Sequence, residues 1–278
     1  MNNVRAFREF YARYVTRKAG VDDPRIVDAF ASVERERFVG AGPWQVFIAG
    51  GYISTGTDDP RLLYQDILIG LSVDRGINNG EPSLHAKCIA RADPQAGETV
   101  IHIGSGTGYY TALFAHLVGS HGRVHAYEIE ADLAALATRN LAYAGNVSVR
   151  ATSGVNAALP LANVIYVNAG ATHPPAPWLD ALAMGGRLVL PLTPNERLGC
   201  MLLVTRRTST AYAARIFSTA GFVPCIGARD EEASRSLAAA LDRGDTDRVR
   251  SLRRRVVPDD SAWCIGTDWW LSTTEPRE

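Results

Sequence analysis

A chain of 278 residues can bury a full core and has room for one large domain with additions. Its 29 basic and 29 acidic residues cancel, which excludes a global field that would draw nucleic acid or an anionic membrane, and no run of about 18 apolar residues could span a bilayer. Cys88, Cys200, Cys225 and Cys264 are widely spaced and form no Cys-x-x-Cys pair. That spacing argues against a zinc site or a disulfide framework and leads us to expect no metal and a reducing, cytoplasmic setting. The opening residues are charged and aromatic and lack an apolar signal core.

In chain order, residues 4–17 place Phe7, Phe10, Tyr11, Tyr14 and Val15 on one face of an amphipathic helix, which predicts a core-facing stripe. Asp22-Asp23-Pro24 supplies an N-cap and a first-turn proline for a second helix carrying Ile26, Val27, Phe30 and Val33. Residues 40–80 are rich in glycine, aspartate and proline; their apolar patches predict an ordered cover over a cofactor or substrate. A helix over 82–92 opens at Pro82-Ser83. Strands are then predicted at 99–103, 123–127, 146–150, 163–168 and 187–192, with helices at 109–119, 131–144 and 176–183. Alternating helices and Val/Ile-rich strands indicate a parallel sheet covered on both faces. Antiparallel strands follow at 200–205 and 212–217. Residues 230–256 read as helix broken near Gly244, with Arg248, Arg250, Arg253, Arg254 and Arg255 as a solvated face. The closing run 263–271 reads as one strand, with Trp269 and Trp270 divided between core and surface.

The chemistry concentrates where the first strand of that core enters Gly104-Ser105-Gly106-Thr107-Gly108 and then a helix. A second strand ends at Glu128, twenty residues past Gly108, completing a βαβ nucleoside-binding unit. A dinucleotide fingerprint needs glycine at the sixth position, where this chain has Tyr109. Three alternating glycines suit a ligand edge without a pyrophosphate, such as an amino-acid moiety. The segment resembles the first motif of class I S-adenosylmethionine (SAM) methyltransferases, and the resemblance implies that Gly104, Ser105, Gly106, Thr107 and Gly108 bind SAM while Glu128 accepts from both ribose hydroxyls.

Several further segments are similar to the protein-L-isoaspartate O-methyltransferase family. They are Gly20 to Ile26 with Val33 to Val39, Tyr64-Gln65-Asp66, Pro82-Ser83-Leu84-His85-Ala86, and the fifth strand Gly185-Gly186-Arg187-Leu188-Val189-Leu190-Pro191. The resemblance runs from about residue 10 to about residue 205 and implies an α/β fold. That fold has a Rossmann-like class I SAM methyltransferase sheet and a helical N-terminal cap; residues 206–278 have no counterpart in the resemblance and read from their own pattern as a C-terminal α+β extension. The corresponding divisions are 1–92, 93–205 and 206–278. It also implies that His85 sits near the SAM carboxylate.

The departures are as informative. Where the family carries Thr-Ile-Ser, this chain has Asn78-Asn79-Gly80. His102 replaces an acid in the first strand, and Thr152-Ser153-Gly154 replaces Gly-Asp-Gly, leaving Ser153 on the adenine side. Methyl transfer from a sulfonium to an ionised carboxylate needs alignment and exclusion of water rather than a general base. The lack of a Ser-His-Asp or paired-carboxylate constellation fits that chemistry, and Asn78 and Asn79 are the candidates to hold the acceptor through their amides. His102 reads equally as core or as a donor at the cofactor edge, and Asn168 ends the fourth strand at the ligand-binding edge of the sheet. The leading expectation is a SAM-dependent methyltransferase of a protein or peptide carboxylate. Alternatives are a different acceptor, such as a small metabolite or modified peptide, and a non-catalytic protein on the same fold.

Overall fold

The computed structural model describes residues 2–195 and 197–277. In chain order its elements are α1 (Asn2–Lys18), α2 (Pro24–Ser32), β1 (Gln45–Ile48), β2 (Gly51–Ser54), β3 (Gly70–Ser72), β4 (Ile77–Asn78), α3 (Pro82–Ala92), β5 (Thr99–Ile103), α4 (Tyr109–Val118), β6 (Arg123–Glu128) and α5 (Ala131–Asn140). They continue as β7 (Val147–Ala151), β8 (Ala162–Val167), α6 (Ala176–Asp180), β9 (Leu182–Leu192), β10 (Gly199–Arg206), β11 (Tyr212–Ala220), α7 (Glu231–Arg243), β12 (Ser251–Arg254), β13 (Ala262–Ile265) and β14 (Trp269–Ser272). The chain forms two compact units. One comprises the residues up to Glu98 with Ser105–Thr152; the other comprises Thr99–Gly104 with the residues from Ser153 onward.

In the first unit, Asp23 caps α2 by accepting from the Arg25 N–H at 2.9 Å, as the Asp-Pro pair predicts. Helix α1 buries Tyr11, Ala12, Val15 and Thr16, but Phe7, Phe10 and Tyr14 stay 42%, 62% and 45% exposed. The aromatic stripe is therefore only partly core. Phe10 and Tyr14 instead stack on each other with ring centroids 6.2 Å apart. Below α1, Tyr11 meets Phe30 at 6.0 Å, and Tyr109 meets Phe30 at 6.4 Å and Phe38 at 5.7 Å, all edge-on.

Arg35 is fully buried in this aromatic cluster, with its guanidinium 5.6 Å from the Tyr11 ring centroid and 5.9 Å from that of Tyr109. It donates to the carbonyls of Leu63, Gln65 and Ile67 at 2.5, 2.9 and 2.8 Å. A buried guanidinium is tolerable because it satisfies three carbonyls of a turn that has no ladder of its own. The segment 40–80, glycine-rich in sequence, is thereby ordered into two antiparallel hairpins, β1–β2 and β3–β4, joined through that turn. Helix α4 is apolar nearly all round and buried except at His116, which pairs with Asp28 at 2.8 Å. Strands β6 and β7 run parallel, with Glu128 opposite Ala151.

The second unit is a mixed sheet in the order β13-β14-β12-β11-β10-β9-β8-β5. Strands β5, β8 and β9 are parallel, and the neighbours from β9 outward are antiparallel. Their apolar runs (Val100, Ile101, Val164, Ile165, Leu188, Val189) are buried, as strands covered on both faces require. Trp178 of α6 is wholly buried and donates its indole N–H to the Gly154 carbonyl at 2.9 Å.

Two readings of the C-terminal region are corrected. The helix over 230–256 stops at Arg243, and Gly244 (φ 76°) and Asp245 (φ 56°) turn the chain into a 3-10 turn and then β12. Arg253 is consequently not on a solvated helix face: it pairs with Trp270 across the ladder and lies 5.2 Å from that ring's centroid. Arg254 pairs with Asp180 at 2.6 Å. The run 263–271 is a hairpin rather than one strand, and both Trp269 and Trp270 are buried.

Candidate functional site

The glycine loop is held by backbone bonds that its side chains do not supply. In the first unit the Ser105 N–H donates to the Tyr127 carbonyl at 3.2 Å, and the Gly108 N–H to the Ser105 carbonyl at 3.0 Å. The Gly106 N–H donates to Glu128 Oε2 at 2.6 Å, and the Glu130 N–H to Oε1 at 3.0 Å. Glycine is required at 108: φ is 100°, and a Cβ there would lie 2.7 Å from Leu141 Cδ1. Close packing of the loop on α5 thus comes from Gly108 itself, and Tyr109 faces the aromatic cluster.

Burial pushes the Glu128 carboxyl above the usual carboxylate range, and the N–H groups of Glu130, Gly106 and Ile129 partly oppose that shift. Each oxygen accepts one backbone N–H and keeps further lone-pair capacity. Ser105 Oγ is buried without a partner, and α4 begins at Gly108 with no side-chain cap. A carboxylate with spare acceptors, an orphaned hydroxyl and an uncapped helix N-terminus fit a ligand that combines a ribose with an anionic amino-acid end. Thr107 takes a different part: its hydroxyl donates to the Phe38 carbonyl at 2.5 Å, and its own carbonyl accepts from Asn140 at 3.0 Å. Its side chain anchors the loop from behind.

Asn78 ends β4 and Asn79 follows it, and the two differ in state. Asn78 Oδ1 accepts the Gly80 N–H at 2.9 Å and closes a local turn. Asn79 pairs with Ile69 twice, its Oδ1 accepting the Ile69 N–H at 2.8 Å and its own N–H donating to the Ile69 carbonyl at 3.0 Å. Asn79 Nδ2 is left buried without a partner. Gly80 has φ +74°, and a Cβ on it would fall 2.2 Å from His85 Nε2, so a serine cannot occupy this position with His85 where it is. His85 is 1% exposed and stacks on Tyr110, centroids 3.8 Å apart. The structure thus brings Gly80, His85 and Tyr110 together beside Asn79's turn.

Sequence reasoning missed what supports this corner. Helix α3 has Pro82 in its first turn and no cap from Glu81. Asp66 caps it from a distance, accepting the Ser83 N–H at 2.8 Å, the Ser83 hydroxyl at 2.6 Å and Lys18 Nζ at 2.5 Å. Burial opposes ionisation of Asp66, but Lys18 and Ser83 outweigh it and hold the carboxyl below its usual range. The Tyr-x-Asp spacing was the only signal of this role.

In the second unit, Gly104 packs on the backbone of Asn168, whose N–H donates to Ile103 at 2.8 Å and whose Oδ1 is buried without a partner. Ser153 accepts the Val155 N–H at 3.2 Å in a turn of its own. His102 is fully buried edge-on to Tyr166, and burial pushes its imidazole down to about 3, so it stays neutral at physiological pH. The core reading of His102 therefore holds. Among the described residues no cluster of His, Cys, Asp or Glu is arranged to hold a metal ion, and no helix is long and apolar enough to cross a membrane.

The family profile described as Protein-L-isoaspartate(D-aspartate) O-methyltransferase (PCMT) matches residues 13–230. A protein-L-isoaspartate O-methyltransferase of Brucella anthropi is 30% identical over 210 residues, covering 75% of this chain and 88% of that protein. A solved protein-L-isoaspartate O-methyltransferase superposes with TM-score 0.67 at 24% identity, over 91% of this chain and 74% of that one. A Plasmodium falciparum chain solved with S-adenosyl-L-homocysteine superposes with TM-score 0.64 at 19% identity, over 78% and 97%. At those identities the two structures attest the fold, and the family assignment rests on the profile and the sequence relatives. The chain belongs to the protein-L-isoaspartate(D-aspartate) O-methyltransferase family of SAM-dependent methyltransferases.

Proposed function

We propose that the protein methylates the side-chain-like α-carboxylate of isoaspartyl residues in protein or peptide substrates, in the cytoplasm, with Asn79 as the group that receives the acceptor. The observation that carries this reading is the Asn79 amide nitrogen, buried without a partner while its own oxygen is pinned by the Ile69 N–H. A buried donor left unpaired costs about 1–3 kcal/mol, a cost that an incoming carboxylate oxygen would remove. Asn78 shapes the turn and presents its amide beside it. SAM supplies the electrophilic methyl group when bound. Residues 105–108 and Glu128 hold its amino-acid and ribose parts. Ser153 is assigned to the adenine by the family resemblance, and its hydroxyl accepts the Val155 N–H in a local turn. His85, wedged between Gly80 and Tyr110, sets the wall of the acceptor corner. The division into a cap and loop region (1–92), a cofactor core (93–205) and an extension (206–278) is the functional partition this reading implies.

A second reading keeps SAM but changes the acceptor to a modified peptide or small metabolite. It is favoured by Gly80, whose contact with His85 excludes the hydroxyl that the family carries there. Kinetics on Asn79→Ala with an isoaspartyl peptide test the leading reading. We expect kcat/KM to fall about 10- to 100-fold with SAM affinity unchanged. An unchanged kcat/KM sinks the role of Asn79.

A further inference from the structure

Hairpin β3–β4 lies on the glycine loop, and Arg75 ties its turn to the start of α5. At one end, Leu71 Cδ1 lies 3.4 Å from where a Cβ of Gly106 would be, so the leucine rests on the residue whose N–H is held by Glu128. At the other end, Arg75 leaves the hairpin and reaches the start of α5. Its Nη1 donates to Glu130 Oε2 at 2.6 Å and to Asp132 Oδ1 at 3.1 Å, and its Nη2 donates to Asp132 Oδ2 at 2.6 Å. The Asp132 contact is a two-pronged fork, the arrangement that gives arginine–carboxylate pairs their directionality. Ser72 Oγ accepts the Arg75 Nε–H at 2.8 Å and so orients the guanidinium before it reaches either acid. Four hydrogen bonds thus fix the Arg75 guanidinium.

Glu130 is also tied to Glu128. Glu130 donates its backbone N–H to Glu128 Oε1 and accepts Arg75 with its side chain. The chain of contacts runs from Leu71 on Gly106, through Arg75, to Glu130, and back to Glu128, which holds Gly106. Leu71, Arg75, Glu130, Glu128 and Gly106 thus close a ring of five residues at one edge of the loop. Any ligand that uses the Gly106 edge and the Glu128 carboxylate must lie against Leu71 or displace it. Hairpin turns with few buried contacts open at low free-energy cost, and both pairs of Arg75 are exposed to solvent.

We infer that Arg75 is a positioning residue that latches hairpin β3–β4 over the cofactor loop, so that breaking its pairs with Glu130 and Asp132 sets the rate at which SAM and its demethylated product leave. This rests on the assignment of residues 105–108 and Glu128 to the cofactor. Arg75 touches neither the methyl group nor the acceptor in this scheme. It acts through the hairpin.

The test is the dissociation rate of labelled SAM, chased with excess unlabelled SAM, from the full chain. Because the latch is an exposed ion-pair network, release from the wild-type chain should accelerate as NaCl rises from about 0.05 M to about 0.5 M. Arg75→Ala should release SAM about five-fold faster at low salt and show almost no further salt dependence. Arg75→Lys, with charge but no fork, should fall between them. Pairing Arg75→Asp with Asp132→Arg should restore slow, salt-sensitive release, which a purely structural loss could not do. Leu71→Ala should speed release while keeping the salt dependence, since the ion pairs remain. A wild-type rate insensitive to salt, or Arg75→Ala releasing SAM at the wild-type rate, overturns the latch. If the wild-type chain binds no SAM, the cofactor assignment itself has failed; if SAM binds and Glu128→Ala abolishes binding, that assignment stands and the rates alone judge the latch.

Discussion

Glu128→Gln separates two effects that usually move together. In the wild-type chain the carboxylate is 6% exposed and accepts from two backbone N–H groups, at 2.6 and 3.0 Å. The glutamine amide has one acceptor oxygen, so its NH2 must face one of those donors, and one charge-assisted bond worth about 1.5–3 kcal/mol is lost. Against this, burial already disfavours the ionised form, as the raised pKa records, and the neutral amide escapes that penalty. The two terms nearly cancel for folding, and we expect stability at pH 7 to change by no more than about 1 kcal/mol. Ligand binding has no such compensation, because the ribose hydroxyls lose a charged acceptor. One such bond corresponds to a rise of about 10- to 150-fold in the Kd for SAM. Isothermal titration with SAM, alongside thermal unfolding, reads both quantities. The sign with pH follows from the raised folded pKa. The contribution of Glu128 to stability is largest below the usual carboxylate range and is lost as pH rises through the folded value, while SAM affinity rises over the same window. A Kd within three-fold (about 0.7 kcal/mol) of wild type would refute the ribose role.

Other substitutions probe the supports of the site. Gly80→Ser, which restores the family's hydroxyl, meets φ +74° and His85 Nε2 at 2.2 Å. It should lower stability by about 2 kcal/mol in chemical denaturation and give no gain in methyl transfer. Asp66→Asn weakens the remote cap of α3 and its pair with Lys18, costing about 1.5–3 kcal/mol at pH 7. Because the folded pKa of Asp66 is depressed, its stabilisation is present above the usual carboxylate value of 3.8 and lost as pH falls through the folded value, so denaturation curves of mutant and wild type should converge in acid. Arg35→Leu strips donors from three carbonyls and should cost about 3–5 kcal/mol, read as a fall in Tm.

The α/β core was legible because its signals are local. Apolar strands such as Val100 to Ile103 and the glycine turn before Tyr109 are set by periodicity and by backbone sterics at Gly108. The elements that failed depend on distant partners. The arginines after Gly244 have no helical face to present once two left-handed residues end α7, and Arg253 finds Trp270 only through a ladder that spacing cannot reveal. Phe7, Phe10 and Tyr14 follow a helical period faithfully, yet only the Tyr11 and Val15 side of α1 meets the core. The contact of Glu128 with the glycine loop could be read from its distance to the glycines, and Asn78 and Asn79 became candidates from the loop they occupy. Arg75 as a tie and the unpaired state of Asn79 Nδ2 arise from tertiary contacts and left no mark in the sequence, and Asp66 as a remote cap left only its Tyr-x-Asp spacing.

The central claim is that this chain methylates an isoaspartyl carboxylate. Incubation with methyl-labelled SAM and an isoaspartyl peptide, beside the matched aspartyl peptide, tests it most directly. The account predicts label on the isoaspartyl peptide alone, released as methanol by mild base because the product is an ester. Label on neither peptide, or a base-stable methyl group, would contradict it.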